Sequence, residues 1–145
     1  MNTLGRLGNI MIEGKPGVGK TTLIEYYLKE IKNKNKIVCD SKGIDLYDCI
    51  DYPNTKYYGN NFDEFYDELI NLINTNNKRV TYIIVDDFFE VECMLGKTKT
   101  KELFDYLFIH YKKHNVKLIV SSQVRCFYPN MKRYANTYIK LNSTY

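Results

Sequence analysis

Eight residues near the N-terminus, Gly14-Lys15-Pro16-Gly17-Val18-Gly19-Lys20-Thr21, constrain this chain more than any other stretch. Glycine alone meets no steric penalty at positive φ, so a loop with three glycines can wrap its backbone tightly around a small object. An apolar segment precedes the loop, Gly8 to Glu13, with Ile10, Met11 and Ile12 at its centre. An amphipathic segment follows, Lys20 to Lys32, with Leu23, Ile24, Tyr27, Leu28 and Ile31 spaced for one helical face. In the order strand, glycine loop, helix, the loop N–H groups and the positive end of the helix converge on one point. That point suits a phosphate.

The spacing is that of the Walker A pattern, G-x-x-x-x-G-K-[ST], which assigns a task to each position. Gly14, Lys15, Pro16, Gly17, Val18 and Gly19 wrap the phosphates of a nucleotide. Lys20 reaches the terminal phosphates, the Thr21 hydroxyl ligates magnesium, and Thr22 touches the inner phosphate. ATP with Mg²⁺ is the expected ligand, and ATP hydrolysis the expected activity.

A second apolar run, Val80 to Val85, ends in Asp86-Asp87. Continuous apolar character marks a strand buried on both faces, and an acid at its carboxyl end can hold magnesium through water. Asp86 is thus the Walker B carboxylate. Asp87 stands where many ATPases carry the Glu that orients the attacking water, with Glu90 and Glu92 as rivals in the loop expected over 88–98. A third buried run, Val116 to Val120, ends in Ser121-Ser122-Gln123. If it lies between the other two strands, Ser122 and Gln123 face the terminal phosphate, and Gln123 can sense it. Arg125 and Arg133 follow, either of which a ring-forming ATPase could place against a neighbour's phosphate.

The remaining segments complete an alternating pattern. Short strands are expected over 36–40 and 136–141, and helices over 62–74 and 99–114, with an irregular excursion over 41–61. The fold class is α/β, a mainly parallel five-stranded sheet flanked by helices, with the strand before Gly14 central and 116–121 between 8–13 and 80–86. Residues 1–145 form one domain. The net charge of +4 permits a nucleic-acid partner without requiring one, and the Lys32 to Lys36 run reads as a solvated helix end. The four cysteines lack metal or redox spacing, which suits free thiols in a reducing compartment. No signal peptide and no membrane span are expected, and the location is cytoplasmic.

The order of these features resembles the HerA–FtsK superfamily, and within it the genome-packaging ATPases of large DNA viruses. Four stretches carry the resemblance: Gly14 to Thr22, Ile83 to Asp87, Leu103 to Gln123, and Tyr128-Pro129 through Arg133, Asn136 and Tyr138 to Leu141. The chain departs from that family in having Lys113-His114 for its usual Arg-His pair, and in being short. The resemblance implies a RecA-like core, a homo-oligomeric ring and ATP-driven movement of double-stranded DNA, with a capsid or replication partner and a location in host cytoplasm or virion. By position it implies Asp87 as catalytic carboxylate, Gln123 as phosphate sensor and Arg133 as arginine finger.

Three other classes share parts of the pattern. An AAA+ helicase loader or replication initiator also suits the Asp pair, Gly96-Lys97-Thr98 and Ser121-Ser122, but Gln123 and the lack of a helical lid argue against it. A small P-loop kinase needs a lid with arginines, and 41–61 contains none. A nucleotide-binding module without hydrolysis is the last.

Overall fold

The computed structural model describes residues 8–142 apart from Val124. Six strands form one sheet: β1 (Ile10–Gly14), β2 (Asn35–Asp40), β3 (Thr55–Gly59), β4 (Thr81–Asp86), β5 (Val116–Ser122) and β6 (Thr137–Leu141). Their spatial order is β3-β2-β4-β5-β1-β6, and every pairing is parallel. Parallel neighbours need long crossovers, which five helices and a 3₁₀ turn supply. The helices are α1 (Lys20–Glu30), α2 (Phe62–Ile73), α3 (Phe88–Leu95), α4 (Lys97–His114) and α5 (Pro129–Tyr134), and the turn spans Tyr47–Asp51.

The four inner strands are buried on both faces, which is why β1, β4 and β5 read as apolar runs. Successive side chains alternate sides. Met11, Ile83, Val85, Leu118 and Val120 pack toward α2, α3, α4 and α5. Ile10, Ile12, Tyr82, Ile84 and Ile119 pack toward α1 and the 3₁₀ turn. Asn9 ties one end together: its N–H donates to Asn136 Oδ1 at 2.8 Å, its Oδ1 accepts from Leu118 N at 2.9 Å, and its carbonyl accepts from Asn136 and Thr137. Asn136, one of the residues behind the superfamily resemblance, is therefore a structural clasp joining β6 to β1.

As expected, β5 lies between β1 and β4. Other expectations need correcting. The sheet has six strands, not five, because the excursion over 41–61 contains β3. Edge position explains the miss, since only Gly59 of β3 is buried and no apolar run marks it. The strand before Gly14 sits one in from an edge rather than at the centre. The supposed loop over 88–98 is mostly α3, and α5 precedes the last strand. Lys36 is 1% exposed, not solvated. Its ammonium donates to the carbonyls of Ile31, Lys32, Lys34 and Pro53 at 2.6–3.3 Å, and burial pulls its pKa down to about 8.

Candidate nucleotide-binding site

The carboxyl ends of β1, β2, β4 and β5 open onto a cleft of about 540 Å³. In an open parallel sheet, ligands bind at this edge, where the strand order reverses. The loop after β1 forms one wall. Gly19 takes φ 101° and gives α1 no side-chain cap, so the first amides of that helix are left for a ligand. Gly14 is held differently: a Cβ there would lie 2.6 Å from Val18 Cγ2 and 3.0 Å from the Leu141 carbonyl. Only glycine lets the loop leave the sheet this close to β6.

The cleft gathers Pro16, Gly17, Gly19, Lys20, Thr21, Thr22, Asp86, Asp87, Glu90 and Gln123. Lys20 Nζ donates to the Gly14 carbonyl at 2.6 Å and the Lys15 carbonyl at 2.9 Å, folding over its own loop. Burial lowers its pKa, against the opposing pull of Asp87 and Asp86. The Thr21 hydroxyl donates to Asp86 Oδ2 at 2.9 Å, and Ser121 Oγ donates to Asp86 Oδ1 at 2.8 Å. Burial raises the Asp86 pKa while these two hydrogen bonds work the other way. The Thr21–Asp86 pair sets two hard oxygen ligands side by side, the donor set magnesium takes beside a phosphate.

Asp87 turns the chain. It adopts φ 91°, ψ 102°, unusual for a residue with a side chain, and caps α3 by accepting from Phe89 N at 3.1 Å. Ser41 holds this corner in place, donating from its hydroxyl to the carbonyls of Asp86 and Asp87. Of the rival carboxylates, Glu90 reaches the cleft. Glu92 does not line it and accepts a hydrogen bond from the Tyr128 hydroxyl.

The two arginines are not brought to this cleft. Arg133 is exposed on α5 and Arg125 is exposed in the turn after β5. His114, in the segment behind the superfamily resemblance, is buried at the end of α4, before β5 begins. Tyr106 Oη lies 2.7 Å from its Nε2, and burial lowers its pKa. It supports the fold at the edge away from the cleft. Sequence reasoning missed Ser41, Lys42 and Asp45, which line the cleft, and Asp40 beside Asp86. Asp40, at the end of an apolar strand, carries the same signal that identified Asp86.

A parallel sheet with β5 between β1 and β4, and a glycine loop opening onto an uncapped helix, defines a P-loop NTPase fold. The sequence model for the KAP family P-loop domain matches residues 3–136, and the chain belongs to that family. No curated protein matches significantly. Among solved structures, ATPases 2 and 3 of EssC from Geobacillus thermodenitrificans are similar at 14% identity and TM-score 0.78, covering 93% of this chain and 32% of that one. The cytoplasmic domain of EssC aligns at 15% identity and TM-score 0.75, covering 93% and 33%. PCH-2 of C. elegans aligns at 14% and 0.53, covering 91% and 34%. These likenesses are of fold, and this chain spans about a third of each of those chains. No helix among the described residues is long and apolar enough to cross a membrane.

Proposed function

We propose that this chain binds ATP with Mg²⁺ and hydrolyses it to drive movement of double-stranded DNA as part of a homo-oligomeric ring. The observation that carries the nucleotide reading is the Thr21–Asp86 hydrogen bond at the mouth of the glycine loop, with Lys20 beside it. In this reading Lys20 and the loop amides hold the phosphates, and Thr21 and Asp86 hold the metal. The metal, when bound, supplies charge to the phosphate oxygens. Asp87, fixed by its cap and by Ser41, orients the attacking water, with Glu90 as the alternative. Gln123, at the end of the strand between β1 and β4, contacts the terminal phosphate.

The superfamily resemblance and the net charge of +4 support DNA as the partner. Arg133 points to the ring: it is exposed and away from its own cleft, where it suits a neighbour's site. Steady-state ATP hydrolysis with and without duplex DNA tests the proposal. Hydrolysis stimulated by DNA is expected. Hydrolysis indifferent to DNA removes the DNA partner, and no hydrolysis under any condition leaves a nucleotide-binding module.

A further inference from the structure

Asp40 closes β2 and Asp86 closes β4, and the two are register partners across the sheet. Asp45 comes from the turn after β2. One carboxylate oxygen from each of the three lies within 4.8 Å of the others. Asp40 is 0% exposed. Its Oδ2 accepts from Leu46 N and from the Tyr57 hydroxyl, both at 2.8 Å, while its Oδ1 is buried with no hydrogen-bond partner. A buried carboxylate oxygen in that condition is costly unless an ion or a proton shares it. Among the described residues neither Asp40 nor Asp86 forms an ion pair, and Asp45 meets only Lys42, 4.0 Å away and 77% exposed.

We propose that Asp40, Asp45 and Asp86 form a divalent-cation site that fills before nucleotide binds. This rests on the nucleotide-site reading and extends it. A magnesium ion in a phosphate-transfer site is usually held by one or two carboxylates and completed by substrate phosphates. Three carboxylates with a free buried oxygen can hold a hard cation on their own. Oxygens on opposite sides of an ion stand about 4 Å apart for Mg²⁺ and about 5 Å for Ca²⁺, so the observed spacing suits either, and Mn²⁺ between them. Asp86 would be shared between this cation and the Thr21 side of the cleft. The ion would also pin the turn carrying Lys42 and Asp45 against the ends of β2 and β4.

The test is a Mn²⁺ titration of the nucleotide-free full chain, read by the electron paramagnetic resonance of free Mn²⁺. One Mn²⁺ per chain is expected, displaced by Mg²⁺ or Ca²⁺. Asp45→Asn, at the solvent side of the cluster, should weaken it at least tenfold, and Asp40→Asn, which keeps an acceptor for Leu46 and Tyr57, should do the same. No uptake at millimolar Mn²⁺ overturns the proposal and leaves a shared proton as the occupant. Uptake unchanged in both variants overturns it as well. A fluorescent ATP analogue, added with Mg²⁺ to a separate sample, reads the nucleotide site on its own. Analogue binding without Mn²⁺ uptake sinks the cation site alone, and Mn²⁺ uptake without analogue binding sinks the nucleotide reading alone.

Discussion

Thr21 and Asp86, 65 residues apart in sequence, meet in a 2.9 Å hydrogen bond that joins the first turn of α1 to the end of β4. The near-isosteric Thr21→Val removes the hydroxyl and leaves Asp86 Oδ2 without that donor. The metal-dependent part of ATP affinity should be lost, while the affinity measured in EDTA stays the same. Stability should fall by about 1–3 kcal/mol, the cost of an acceptor left unpaired in a buried setting. Isothermal titration with and without Mg²⁺, alongside urea denaturation, checks both.

Lys20→Ala removes the cation expected to meet the terminal phosphates. ATP affinity should fall by roughly tenfold or more, as when a charge-assisted contact is lost, and hydrolysis should disappear. Equilibrium binding of a fluorescent nucleotide decides this. Parent-like affinity would show that the loop does not hold phosphate.

Asp87→Asn separates chemistry from structure. Asparagine caps helices as well as aspartate and tolerates positive φ, so α3 should remain intact. ATP binding should persist while turnover drops by roughly 10²-fold or more, the usual scale of acid–base effects. Near-normal turnover, with loss in Glu90→Gln instead, would move the role to Glu90.

How much of this was open to sequence reasoning depended on whether the signal was local. The glycine loop and the acid after an unbroken apolar strand are local patterns, and Lys20, Thr21, Asp86 and Asp87 were all picked out that way. The edge strand β3 and the capped helix α3 were not, because neither has a periodic apolar face of sufficient length. Lys36 misled for another reason. Its surroundings are backbone carbonyls from two separate turns, and only tertiary folding assembles them.

Lys36→Met leaves those carbonyls without their ammonium and should destabilise the fold by about 2 kcal/mol or more. The pH dependence has a definite sign. The folded pKa of about 8 lies below the ordinary 10.5, so between these values the unfolded chain binds more protons. Parent stability relative to Lys36→Met should therefore rise from pH 8 toward pH 10. Paired urea denaturations at pH 7.5 and 9.5 check this, and a flat or falling difference contradicts it.

Arg133→Ala should bind ATP like the parent but hydrolyse it slowly, by roughly 10²-fold or more if the side chain completes a neighbouring site. Mixing it with Asp87→Asn should restore part of the activity, since some hybrid interfaces would hold both intact groups. Sedimentation of the mixture should show an oligomer. A monomer at every loading, with no rescue, would make Arg133 a surface residue.

The Tyr128–Glu92 hydrogen bond has a mechanical consequence. Asp87 caps the start of α3, Glu92 lies within that helix, and Tyr128 is the residue from which α5 departs with Arg133 on it. Any tilt of α3 as Asp87 re-aims must either drag α5 along or break that contact. In the proposed ring, this contact and the Phe88 ring packed on Phe127 and Tyr128 would carry events at the phosphate site to the surface that bears Arg133.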